Sequence, residues 1–380
     1  MGEIQIADFE RLEEHLQMIL KNPDTCLDEK LIDEVRLQLT GMSLYTNSGA
    51  PGLEFYGGML IAAEGDMPIV IPRLLPLLTK ILPSYPKNPG ILSELTEKLL
   101  RSLEFTQVLA VAPEESLLLA LQSPFSAAIL LGISIISKAS LAPSHTAILS
   151  NMKPLVHTFI QVWLSSPDVA VGEAATQTLG DLLEMDCDCR KTLSPCLMSR
   201  VKDLNIGSNL PLGQGLLWRR IFQDQDIYKL LFSLCDLSSC EKDEFRLDRR
   251  QISIAQGRLL QLLPRLATLN FQIISQSQFP MIEKIHIGRP SGILYFAATK
   301  MIDKEDLLIN MILITFFGHL LSVISKETLS SSNFAFLNTI VNEVASENIT
   351  LKQSIEATVE NPETTPELQE LLSRLINIQR

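Results

Sequence analysis

Apolar residues along this 380-residue chain recur at helical spacing. In "ADFERLEEHLQMILKN", Phe9, Leu12, Leu16, Ile19 and Leu20 form one stripe with acids opposite, the pattern of an amphipathic helix. "LDEKLIDEVRLQL" repeats it with Leu27, Leu31, Val35 and Leu39, so the two segments predict an antiparallel helix pair. A glycine-rich crossing, "YTNSGAPGLEFYGG", separates this pair from the rest of the chain. Alternating β-branched runs and Asn-Gly or Asp-Gly hairpin turns are missing, so little argues for strands.

Downstream, helix-length runs alternate with short turns marked by proline. "PIVIPRLLPLLTKIL" precedes "NPGILSELTEKLLRSLEF", "PEESLLLALQ" precedes "SPFSAAILLGISIIS", and "ILSNMKPLVHTFIQVWLS" precedes "SPDVAVGEAATQTLGDLL". Pro124, Pro167 and Pro211 open successive second helices at spacings of 43 and 44 residues. HEAT and armadillo arrays repeat every 40–47 residues or so, each unit a group of helices that cannot bury its apolar face alone. Proline suits a first helical turn because its missing N–H has no partner there. The clearest unit is 148–185, whose second helix buries Val171, Ala175, Thr178, Leu179 and Leu182 and turns Glu173, Gln177, Asp181 and Glu184 outward. The expected fold is an all-α, HEAT/ARM-like α-solenoid, with N-terminal repeats over 1–240 and C-terminal repeats and a helical cap over 241–380. "EKDEFRLDRR" reads as a solvated connection, "RQISIAQGRLLQLLPRLATLNF" as a long helix, and "TTPELQELLSRLINI" as the cap.

"LLINMILITFFGHLLSVI" (Leu307 to Ile324) carries no formal charge over 18 residues, near the lower limit for a bilayer span. It contains Asn310, Thr315, His319 and Ser322 and is preceded by "DKED". A helix buried nearly all round inside a helical stack is the preferred reading, and no membrane partner is expected.

Composition narrows the function. Apolar residues make up 46% and charged residues 20%, which supplies a core. The net charge of −12 is concentrated at the two ends: 1–66 carries 13 acids against 4 bases, and 341–380 carries 7 against 3. No basic stripe suits a phosphate backbone, so direct nucleic-acid binding is not expected, whereas a basic protein partner is. "MGEIQIADFERLEEHL" has no signal-peptide pattern, and the six cysteines lack a secretory context. Free thiols in the cytoplasm or nucleus are the expectation.

Catalytic and cofactor motifs are wanting. "GQGLLWRR" has a GxG, but Trp218 stands where a dinucleotide fingerprint needs its third glycine, and no strand precedes it. A helix start is the better reading, with Leu216, Ile221 and Phe222 as core and Trp218 as an anchor. Cys187, Cys189 and Cys196 lie close together, but the C-x-C spacing and the lack of a nearby histidine favour free thiols over zinc. "DQD" (Asp224 to Asp226) and "DCD" (Asp186 to Asp188) read as solvated turns rather than cation sites. There is no G-x-S-x-G, and no Cys–His pairing suggests a nucleophile. His157 and Trp163 read as structural residues of one helix. The chain is therefore expected to be no enzyme and to need no metal or cofactor. In a HEAT-type array partners bind along one helix face, which nominates Glu173, Gln177, Asp181, Glu184, Arg219, Arg220, Gln223, Arg258, Gln261 and Arg265.

"GQGLLWRRIFQDQDIYKLLFSLC", "IAQGRLLQLLPRLATLNF" and "SPDVAVGEAATQTLGDLL" together resemble the fungal HSM family. Its members were first named as DNA mismatch repair proteins and act as chaperones of proteasome regulatory-particle assembly; the animal relative is counted as proteasome non-ATPase subunit five. The resemblance implies a C-shaped HEAT-like solenoid that binds, on its concave side, the C-terminal domain of one AAA ATPase subunit of the proteasome base. It also implies contact with an assembly intermediate that includes the large non-ATPase base subunit. Another HEAT-type scaffold, of nuclear-transport or phosphatase kind, and a mismatch-repair accessory role are the alternatives.

Overall fold

The computed structural model of the protein describes residues 6–46, 70–189, 193–202, 211–237, 248–303 and 306–377. The fold is all-helical: 79% of the described residues are helix, and none of them is strand. The chain gathers into two compact units, Met1–Leu141 with Pro195–Leu210, and Ala142–Ser194 with Pro211–Arg380. The division expected at 240/241 lies outside the described residues, as do the glycine-rich crossing from Asn47 onward and most of "EKDEFRLDRR".

The first unit runs α1 (Ile6–Lys21), α2 (Glu29–Thr46), α3 (70–81), α4 (Gly90–Leu100), α5 (Phe105–Val111), α6 (Glu114–Leu121) and α7 (Ser126–Ser137). The amphipathic stripes meet as the pattern demands. Phe9, Leu12, Leu16 and Ile19 of α1 pack with Leu31, Val35 and Leu39 of α2, Leu74 and Leu78 of α3, and Leu92, Leu95 and Leu99 of α4. Leu20 is the exception on the α1 stripe at 39% exposed, and Leu27 lies before α2, half-buried against the same core.

The second unit runs α8 (Pro143–Asn151), α9 (Lys153–Ser165) and α10 (Val169–Asp186), and the short α11 (Pro195–Lys202) after them returns to the first unit. The second unit then continues through α12 (Leu216–Phe222), α13 (Gln225–Cys235), α14 (Arg249–Ser275), α15 (Pro280–Ile287), α16 (Ile293–Thr299), α17 (Leu307–Ile324), α18 (Ser331–Glu347), α19 (Ile349–Glu360) and α20 (Pro366–Asn377). Residues 148–165 were expected to be one helix; they split at Met152, because Pro154 cannot donate an interior hydrogen bond and instead takes the first turn of α9. The repeating prolines need a similar correction. Pro124 and Pro167 stand just before the N-cap residues Phe125 and Asp168, and Pro211 stands before the Gly215 cap, so none occupies a first turn. Prolines in a first turn include Pro143, Pro154, Pro195, Pro280 and Pro366.

Helix α14 is the spine of the second unit and packs against α9, α10, α13, α16 and α17. It kinks at Asn270, whose backbone is non-helical at φ −153° and ψ 80°. Helix α17 buries Ile309, Leu313, Phe316, Phe317, Leu320, Leu321 and Ile324 on one side only. It is long and apolar enough to cross a bilayer by length and composition, yet just 39% of it is buried. The expectation of all-round burial is thus corrected: Leu307, Leu308 and Met311 are 75%, 70% and 51% exposed.

Candidate functional site

The residues nominated as a partner face sit on α10, α12 and α14, and the structure divides them into two groups. Helix α10 starts where Asp168 caps it, its side chain accepting from the N–H groups of Ala170 and Val171. Its stripe of Val171, Ala175, Thr178, Leu179 and Leu182 is buried as the periodicity requires. Trp163 on α9 is buried and donates from Nε1 to Thr176 Oγ1 at 2.8 Å.

The face of α10 opposite that stripe is solvated only in part, against expectation. Glu173 and Gln177 are exposed, but Asp181 and Glu184 are 0% and 3% exposed. The reason is α14. Arg265 sends Nη2 to Asp181 Oδ1 at 2.7 Å and to Glu184 Oε2 at 2.6 Å, closing a largely buried bridge. Gln177 Nε2 adds a bond to Asp181 Oδ1 at 2.9 Å. Burial works against the Arg265 charge, but hydrogen bonds to Glu184 and Asp181 outweigh it and raise its pKa.

Arg258 is also turned inward, at 8% exposed. Its Nη1 donates to the carbonyls of Trp163 and Ser166 at 2.7 and 2.8 Å, and its Nη2 donates to the carbonyl of Asp168 at 2.9 Å. One guanidinium thereby caps the C-terminal end of α9 and ties down the turn into α10. Burial lowers its pKa, against the opposing pull of Asp168. Asp181, Glu184 and Arg258 are accordingly core-bridging groups, which corrects the expectation that they stand on an exposed stripe.

On α12, Arg220 turns inward to the Ser150 carbonyl and to Asp224 Oδ2, both at 2.8 Å. Lys153 Nζ lies 3.0 Å from Asp224 and 2.6 Å from Asp226. Burial pushes the Asp224 carboxyl up, but Lys153, the Ile227 N–H and Arg220 hold it below its ordinary value. The acids of "DQD" are therefore a helix cap and its ion pairs rather than a bare turn. Exposed residues of the nominated set are Glu173, Gln177, Arg219, Gln223 and Gln261.

The GxG stretch starts a helix as expected. Gly215 caps α12 with a left-handed backbone, φ 64°, which glycine adopts without a Cβ penalty. The helix N-terminus already holds an anion from its own chain: Asp186 Oδ2 accepts from Leu217 N at 2.7 Å and Trp218 N at 3.2 Å. Burial raises the Asp186 pKa, and those N–H groups oppose the rise. Trp218, Ile221 and Phe222 are core; Leu216 is half-buried and Leu217 takes the buried position beside it.

One feature has no counterpart in the hydrophobic pattern. In the first unit a cleft of about 510 Å³ is lined by Tyr85, Pro86, Leu100, Leu119, Pro124 and Phe125 among others, with no charged residue. Such a lining accepts an apolar group and discriminates against a charged one. Pro83, Pro86, Pro89 and Pro124 line it, a clustering visible in the sequence that helical periodicity does not register.

No protein-family model matches the chain, and no curated protein sequence is significantly similar to it.

Proposed function

We propose that this chain is a non-catalytic chaperone for assembly of the proteasome regulatory-particle base. In this reading its helices form a HEAT-type solenoid that holds the C-terminal domain of an AAA ATPase subunit. The observation that supports it most is the layering of α10 and α14. Gly172 lies against Arg258 and Gly180 against Arg265, so the two helices run in the same direction side by side. Alternate helices of a stacked array are parallel in this way, and each layer completes its neighbour's core. The three segments that resemble the HSM family fall on α10, on α12 with α13, and on α14, which pack in one unit.

The proposed mechanism is steric. A rigid helical surface holds one ATPase subunit and keeps an intermediate from docking prematurely on the core particle, with no turnover. The chain's acidity, −12 overall, favours a basic partner surface. Among the nominated residues, Glu173, Gln177, Arg219, Gln223 and Gln261 are exposed enough to serve.

Affinity purification of the tagged full-length chain from native extract, with mass spectrometry, tests the proposal. Base ATPases and the large non-ATPase base subunit, recovered without the core particle, are expected. Recovery of only transport cargo, phosphatase subunits or mismatch-repair proteins contradicts it.

A further inference from the structure

We propose that Cys187, Asp188 and Cys189, together with the backbone carbonyl of Leu269, form a binding site for a zinc-type divalent cation. The inference is independent of any protein partner. By sequence the C-x-C spacing lacked enough ligands; the fold supplies another from 80 residues away. Cys187 is the C-cap residue of α10, and the chain leaves the helix there in extended geometry, carrying Cys189 back beside it. The two sulfurs stand 3.6 Å apart. Leu269 precedes the kink of α14 at Asn270, where the Ile273 N–H turns to Asn270 Oδ1. The Leu269 carbonyl oxygen lies 3.5 Å from Cys187 Sγ and 3.3 Å from Cys189 Sγ.

That triangle has the size of one face of a metal tetrahedron. With Zn–S bonds of about 2.3 Å and Zn–O bonds of about 2.0–2.2 Å, tetrahedral angles give S···S near 3.8 Å and S···O near 3.5 Å, both approximate. A carboxylate oxygen of Asp188 lies within 4.8 Å of both sulfurs, close enough to supply a fourth donor. A disulfide, by contrast, requires the sulfurs to close to about 2.05 Å. Cys187 is buried, whereas Asp188 and Cys189 are exposed, so the site has a closed floor and an open entrance.

Charge is also arranged for it. Two thiolates and a carboxylate leave one excess negative charge around a divalent ion. Asp188 and Arg219 both overhang Gly215, 3.6 and 3.9 Å from where its Cβ would stand. Arg219 therefore provides a neighbouring cation to offset that charge. Binding displaces the two thiol protons to solvent and involves no electron transfer.

Cobalt(II) added to the reduced, full-length chain is the probe. One equivalent should produce thiolate-to-cobalt charge-transfer absorption and the visible bands of a tetrahedral ion, release two protons, and be displaced by zinc. Cys189→Ser should abolish the charge-transfer bands while leaving helix content unchanged, because Cys189 is exposed. Asp188→Asn should weaken binding by at least about tenfold, since loss of even an outer-shell partner costs about that much. Cys26→Ser, at the exposed cysteine of the first unit, should change nothing. Absence of charge-transfer absorption, its persistence in Cys189→Ser, or a Cys187–Cys189 disulfide without cobalt binding would overturn the proposal.

Discussion

The guanidinium of Arg258 occupies the space where a side chain at Gly172 would begin: a Cβ there would stand 2.1 Å from Nη2. Helix α14 can cap the end of α9 only because α10 presents bare backbone at this point. A glycine-to-alanine change inside a helix ordinarily stabilises by about 1 kcal/mol. Here Gly172→Ala should destabilise by about 3 kcal/mol, through overpacking and the loss of bonds to three carbonyls, two of them buried. Urea unfolding of Gly172→Ala, Arg258→Met and the double variant checks this. The double variant should cost little more than Arg258→Met alone, since both remove the same contact.

Arg265→Met removes the guanidinium that bridges Asp181 and Glu184, whose side chains are 0% and 4% exposed. Breaking such a bridge from one side should cost about 3–5 kcal/mol. Glu173→Lys, on the same helix but exposed, should shift stability by no more than about 0.5 kcal/mol. Thermal or urea unfolding of the two variants compares them directly, and equal effects would contradict the division of α10 into a bridging part and a free part.

This division shows what the sequence could carry and what it could not. Helical periodicity located α1, α10, α14 and α20, and it identified the buried stripe of α10 residue by residue. It could not show that α10 has a second buried side, because a polar residue that bridges two helices looks the same in sequence as one that meets water. The information lay in a pairing, Gly172 and Gly180 two turns apart against Arg258 and Arg265 two turns apart, whose members are some 85 residues distant. The split at Met152 was legible from Pro154 but was outweighed by the apolar periodicity on either side. The thiol pair was visible as a C-x-C, whereas the carbonyl beside it became visible only with the kink at Asn270.

Lys138 gives the first unit a pH dependence. It follows α7 and donates from Nζ to the Leu103 and Arg101 carbonyls at 2.9 and 3.3 Å. Burial, then Arg200 and Arg101, push its pKa down from 10.5 to about 8. The unfolded chain therefore holds this proton more tightly than the folded one. Its penalty is fully present below about pH 8 and is relieved as pH rises toward 10.5, so stability gains over that window. Urea unfolding of wild type and Lys138→Met at about pH 7 and about pH 10 should show the difference moving in favour of wild type at the higher pH. A constant difference would contradict it.

Glu283 is 0% exposed and organises the start of α15. It accepts from Tyr228 Oη at 2.9 Å, from the N–H groups of Gln278, Phe279 and Ser291 at 2.8, 3.1 and 3.0 Å, and from the Ser277 hydroxyl. Burial, with Glu283 alongside, raises the Tyr228 pKa, which keeps the phenol a donor. Glu283→Ala should cost on the order of 3 kcal/mol or more, and Tyr228→Phe about 1–3 kcal/mol because a single charged-acceptor bond is lost. Hydrogen exchange at residues 276–291 should report the loss locally as well as in global unfolding.

The central proposal is that the chain holds a proteasomal ATPase through its C-terminal domain. Titration of the purified full-length chain with the isolated C-terminal domain of each base ATPase, followed by calorimetry, tests it most directly. One of these domains should bind saturably at one-to-one stoichiometry, with a Kd of about 1 μM or tighter. Absence of binding to every one of them, with the chain's helix content intact, would contradict the proposal.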